Sequence, residues 1–307
     1  MFNSEITGNS HSMNRTITAV LITVLISASA KSFAQGILDE MGDNTPQIQY
    51  TYATFKTTRL IMGQSVENTA KGELNFIIEH NFGRVNLGPY EFFGLDQANM
   101  RLGLDYGVND WLNVGVGRSS YEKTYDGFLK ARILRQSTGA RIMPVTLSLY
   151  SNVMLNSLKW QDPGRTNYFT SRLSYTAQLL VARKFSNSLS LQLMPTYIHK
   201  NMVPRIVDQN DIFAMGAGAR VKVTQRTSLT GEYYYLLPGQ TAGDYQNCLS
   251  LGVDLETGGH VFQLRVSNAQ PMFERGFITE TSGKWSKGDI YFGFTINRIF
   301  TIVKPKE

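Results

Sequence analysis

Residues 98–106 read Ala98-Asn99-Met100-Arg101-Leu102-Gly103-Leu104-Asp105-Tyr106, apolar at every even number and polar or glycine at every odd one. Side chains alternate across a β-strand with a period of two. One face of this segment therefore meets an apolar medium, and the other, with Arg101 and Asp105, a polar one. The pattern returns at 212–223, where Phe213, Met215, Ala217, Ala219, Val221 and Val223 oppose Gly216, Gly218, Arg220 and Lys222. It returns again at 246–255, where Leu249, Leu251, Val253 and Leu255 oppose Ser250, Gly252 and Asp254.

Read outward from these segments, the same period gives strands at 72–82, 98–106, 111–118, 126–134, 143–155, 169–183, 188–199, 212–223, 228–237, 246–255, 260–268 and 288–300. Most match the roughly 9–11 residues that cross a bilayer at a tilt. The connections alternate. Tight turns at 107–110, 184–187, 224–227 and 256–259, with a longer one at 135–142, separate mostly long loops at 83–97, 119–125, 156–168, 200–211, 238–245 and 269–287. Short turns on one side and long loops on the other, with an even strand count, describe an antiparallel, up-and-down, transmembrane β-barrel of about twelve strands spanning 72–300.

A soluble barrel with an apolar interior would alternate equally well. Three features favour the membrane form. Full charges sit on the polar faces. Aromatic residues (Tyr106, Trp111, Tyr168, Phe169, Tyr233, Tyr235) gather near strand ends, as interfacial girdles do. The last strand places Ile290, Phe292, Phe294, Ile296 and Phe300 on one face, like the aromatic-ended terminal strand by which outer-membrane barrels are recognised, although a tail at 301–307 follows it.

The first residues add an address. Met13-Asn14-Arg15 supplies a short positive region, residues 17–30 an apolar one, and Ser32-Phe33-Ala34 a small-residue cleavage site, so 1–34 reads as a secretory signal with Met13 as a candidate true start. A mean hydropathy of −0.19 argues against a bundle of membrane helices. The single cysteine, Cys248, cannot form an internal disulfide and reads as a small buried residue. The net charge of +6 suits an anionic lipid surface, and export argues against nucleic acid as the partner.

Five stretches resemble a domain-of-unknown-function family of bacterial outer-membrane β-barrel proteins: Ala53–Glu67, Phe93–Gly107, Val116–Gly139, Glu256–Ile278 and Lys287–Phe300. The resemblance implies the barrel fold and the outer-membrane location, and carries no activity with it.

The strand register turns Glu73, Glu79, Arg101, Asp105, Lys130, Arg132, Arg172, Arg220, Lys222, Glu232, Asp254 and Arg265 toward the lumen. Such a set can line a pore with a mild preference for anions, or fill a narrow barrel with ion pairs. Segment 35–71 precedes the first spanning strand, and Lys56 and Arg59 mark it as a luminal or periplasmic-mouth plug, or else as a thirteenth strand in the wall. Loops 83–97 and 269–287 carry aromatic residues that most simply cover the rim, an inward fold being the alternative. Gly216 and Gly218 read as relief of crowding in a curved sheet.

The expected function is a porin-like channel or transporter for small solutes. The alternative is a non-conducting binding or structural protein of the outer membrane, with a membrane-embedded enzyme a distant third. His80, His199 and His260 fall on a strand's apolar face, at an outer rim and at a turn, so no catalytic residues, metal site or cofactor are expected. The expected partners are outer-membrane lipid, the insertion machinery and a small solute.

Overall fold

A computed structural model describes residues 46–160 and 162–304. The signal expected over 1–34, its cleavage near Gln35, and residues 305–307 of the tail lie outside the described residues.

Two short strands, β1 (Ile48–Tyr50) and β6 (Ser137–Gly139), stand apart from the main sheet. The twelve others are β2 (Glu73–Arg84), β3 (Ala98–Gly107), β4 (Leu112–Ser119), β5 (Tyr125–Leu134), β7 (Thr146–Leu155) and β8 (Leu173–Lys184), then β9 (Leu189–Lys200), β10 (Asp211–Lys222), β11 (Thr227–Leu236), β12 (Cys248–Thr257), β13 (His260–Ser267) and β14 (Tyr291–Thr301). They pair antiparallel in chain order, and β14 pairs back onto β2 to close a barrel. Closure removes the sheet edges that a membrane would leave without hydrogen bonds. The fold class is therefore the one the alternation predicts. The strand starts differ most at β8, where Phe169–Arg172 forms a 3-10 turn instead, and next at β14 and at β7, where Pro144 has no N–H to give a ladder.

The outward faces carry Leu102, Leu104, Val116, Leu129, Leu149, Leu193, Phe213, Met215, Leu251 and Leu264, all exposed. An apolar belt around the whole circumference is far larger than any patch a soluble monomer shows. Apolar side chains thus face out, and the soluble-barrel alternative fails on that geometry.

Inside, the alternation is less simple than the sequence pattern predicts. The inner face is charged on β2 to β5, with Glu79, Arg101, Asp105, Asp126 and Lys130 all buried. On β8 to β11 it is mixed: Leu180, Met194, Ile198, Ile212 and Tyr234, all at 0% exposure, alternate with buried polar residues such as Gln178, Gln192, Thr196 and Glu232. Most of its described side chains are shielded from bulk water because two insertions fill the bore, with Lys184 and Lys222 half-buried at the short-turn mouth.

Candidate functional site: the occupied lumen

The first insertion is residues 54–70, which precede β2. Residues 57–65 turn back on themselves as a tight hairpin: Arg59 bridges Gln64, and the Leu60 N–H donates to the Gly63 carbonyl at 2.8 Å. Phe55, Leu60, Ile61, Met62 and Val66 are all 2% exposed or less. The tip fits because the wall yields to it. A Cβ on Gly218 would lie 1.9 Å from the Leu60 side chain, and one on Gly63 would lie 2.3 Å from the Tyr234 hydroxyl. The inner-face glycine at 218 is thus a seat for the hairpin rather than mere relief of curvature.

A buried main chain needs partners for its own N–H and C=O groups, and the wall provides them. The Glu232 carboxylate accepts the N–H groups of Ile61 and Gly63, each at 3.1 Å. Lys130 Nζ donates to the carbonyls of Glu67, Ser65 and Thr58 at 2.6, 3.1 and 3.4 Å, and to Gln64 Oε1 at 3.3 Å. Gln192 accepts the Val66 N–H at 2.9 Å and donates to the Gln64 carbonyl at 2.7 Å. Gln263 donates to the Leu60 carbonyl at 3.1 Å. Hairpin charges also find opposites: Arg59 lies 3.6 Å from Asp105, Glu67 lies 3.9 Å from Arg132, and Lys56 pairs with Glu256 at the short-turn mouth.

The second insertion is loop 268–284, between β13 and β14. It folds inward around a short helix, α1 (Glu274–Thr279). Met272, Phe273, Phe277 and Ile278 are buried, which corrects the expectation that this loop covers the rim. The reason is packing: Phe277 packs against Tyr234 with tilted rings, 5.4 Å between ring centres, and joins the apolar cluster that also holds Leu60, Ile61 and Met194. Glu274 accepts from the Tyr150 hydroxyl at 2.6 Å and from Asn152 at 2.7 Å. Above it, Arg275 pairs with Glu122 and Glu280, and Lys200 reaches Glu280 at 2.8 Å. Burial opposes the Arg275 charge, but Glu280 and Glu122 more than offset it and hold the guanidinium above its usual range. Loop 83–97 stays at the rim, with Tyr90, Phe92 and Phe93 exposed.

The remaining expected pore-lining residues sort by position. Arg101 bridges Glu79 at 2.5 Å and Asp126 at 2.6 Å. Arg265 donates to Asn81 at 2.9 Å and to Thr295, and Asp254 accepts from Gln263 at 3.0 Å. Arg220 donates to Ser228 and to the carbonyls of Ala53 and Thr54. Lys222 and Glu73 are half-buried at the short-turn mouth. Arg172 does not line the lumen: it sits in the 3-10 turn before β8, 3.8 Å above the Trp160 ring. Its strand begins one residue later, so the period-two rule did not govern it.

Sequence reasoning missed Asp126, Gln192, Gln263, Lys200 and Glu274. Asp126 shares the parity of Lys130 and was legible. The two glutamines carry no charge to draw notice, and Glu274 lies in a segment read as a rim loop. His80 packs on Phe294 on the outer face, His199 contacts Asp211 at 2.7 Å at the long-loop end, and His260 lies at a short turn, so the three do not converge. Among the described residues, no group of three His, Cys, Asp or Glu is arranged to hold a metal.

The sequence profile of the "membrane bound beta barrel domain" (DUF5777) matches residues 55–300. No curated protein matches the chain. Among solved structures, NanC porin is 7% identical with a TM-score of 0.47, covering 75% of this chain and 100% of that one. An outer membrane channel from Pseudomonas putida F1 is 11% identical with a TM-score of 0.44, covering 76% and 97%. Outer membrane phospholipase A from Escherichia coli is 13% identical with a TM-score of 0.43, covering 79% and 98%. At these scores the likenesses carry no argument about function.

Proposed function

From the premise that the chain belongs to the DUF5777 family of membrane-bound β-barrel domains, we propose that it is an outer-membrane conduit for small solutes, held shut at rest by its own hairpin and loop. Export by the signal at 1–34 and assembly by the insertion machinery would bring it there.

One observation carries the reading. The hairpin enters and leaves the bore by the same mouth. Its flanks bond at the short-turn end, where the Thr51 N–H donates to Gln136 and the Gly72 N–H to Gly107. Loop 268–284 enters and leaves by the opposite mouth, between β13 and β14. Neither insertion threads through the wall, so each can withdraw from its own end without breaking the barrel. The alternative, a permanently closed binding or structural protein, draws on the apolar cluster that joins both insertions to the wall.

Planar-bilayer conductance separates the two. The intact chain is expected to pass no steady current. A variant without residues 50–70 and with 270–282 replaced by a short glycine-serine link is expected to conduct. Silence from that variant, with heat-modifiable gel migration proving it folded, would sink the conduit and leave the closed protein. Steady current from the intact chain would sink the resting closure.

A further inference from the structure

The wall packs apolar side chains around Phe55, Leu60, Ile61, Met62 and Val66, but its polar groups address the hairpin's main chain more than its polar side chains. Glu232 on β11 takes two N–H groups, and Lys130 on β5 gives to three carbonyls. Gln192 on β9 takes one N–H and gives to one carbonyl, the pairing a neighbouring strand would make. Gln263 on β13 gives to Leu60, and Arg220 on β10 gives to Ala53 and Thr54. Polar side-chain recognition is thinner: Asp105 meets Thr58 and Arg59, Glu256 meets Lys56, Arg132 meets Glu67, Gln263 meets Thr57 and Lys130 meets Gln64.

Two of these wall groups are chemically pure. A carboxylate only accepts and an ammonium only donates. Placed where they are, they match a chain whose N–H and C=O groups are fixed donors and acceptors. A sugar hydroxyl, which does both, needs no such division. The main-chain groups they read are the same in every peptide. Loss of one hydrogen bond to a buried charge costs enough to change affinity about tenfold.

We propose that the lumen is a peptide-binding site, occupied in this state by the chain's own hairpin, and that the solute class of the conduit is an oligopeptide recognised chiefly through its backbone. This rests on the hairpin being removable. The five residues that carry it are Lys130, Gln192, Arg220, Glu232 and Gln263.

The test uses the full chain with a protease site inserted after Lys71, which is exposed at the short-turn end. The folded protein is cut there, and a fluorescent synthetic peptide of residues 50–70 is offered in exchange, read by anisotropy. Three competitors are added: the unlabelled peptide, a scrambled peptide of the same composition, and the native peptide N-methylated at Ile61 and Gly63. The proposal expects the scrambled peptide to compete within about tenfold of the native one, and the N-methylated peptide to lose at least tenfold. Competition by the native peptide alone would overturn it, since the lumen would then read sequence. So would an N-methylated peptide as good as the native one, or no exchange after complete cleavage. Conductance is scored separately. A conducting variant that binds no peptide overturns this proposal only, and a peptide-binding variant that never conducts overturns the conduit only.

Discussion

The hairpin at 54–70 and the loop at 268–284 close the same bore in different ways. The wall's polar groups grip the hairpin mainly by its backbone, through Glu232, Lys130, Gln192 and Gln263, while Leu60, Ile61 and Met62 pack into the apolar cluster. It grips the loop by its side chains: Phe277 on Tyr234, Glu274 between Tyr150 and Asn152, and Glu280 on Lys200. A backbone grip tolerates changes in the gripped segment and depends on the wall, whereas a side-chain grip depends on both. The hairpin is accordingly the exchangeable stopper and the loop the fitted one.

Mutations sharpen this contrast. Phe277→Ala should have the largest effect, costing about 3–5 kcal/mol for a large ring removed from a packed site. Limited proteolysis should then cut loop 268–284 first and leave the hairpin protected. If both insertions open together, the two closures are one cooperative unit and the contrast breaks. Gln192→Ala removes partners from the Val66 N–H and the Gln64 carbonyl, and should cost about 1–3 kcal/mol in denaturant melts. Here protease sensitivity should rise in 54–70 and not in the loop. Lys56→Ala should be smallest, within about 1 kcal/mol, because its partner Glu256 is well exposed at the mouth. A cost several times larger would mean that the hairpin is held by its side chains after all.

The wall was legible in the sequence because its signal is redundant. Twelve segments each repeat the period of two, and the tight turns between them fix the pairing. The apolar residues on the inner face of β8 to β11 were harder to read. Leu180, Met194 and Ile198 sit at positions where an aqueous lumen would demand polar groups, and they are tolerated only because Leu60, Met62 and Phe277 cover them. That cover comes from two segments outside the twelve strands, of which 35–71 carried a luminal reading and loop 269–287 read as a cover for the rim. Lys56 and Arg59 marked the hairpin by charge alone. Its anchors Gln192 and Gln263 gave no such mark, because an inward glutamine looks the same whether it meets water or a peptide group.

The barrel's seam, where β14 meets β2, has a further consequence. Leu60 and Gln263 are 203 residues apart, and Thr57 and Gln263 are 206 apart. Bringing such distant points together in an open chain carries a large loop-closure entropy. Once β14 has zipped onto β2, however, the route from hairpin to β13 crosses the seam and is only a few strands wide. The entropy has already been lost in making the wall, and the hairpin's bonds then form at high effective concentration. The hairpin, which precedes every strand of the barrel, is therefore the last part to be locked, and its hold is borrowed from the seam: whatever loosens the β14–β2 ladder also loosens the stopper.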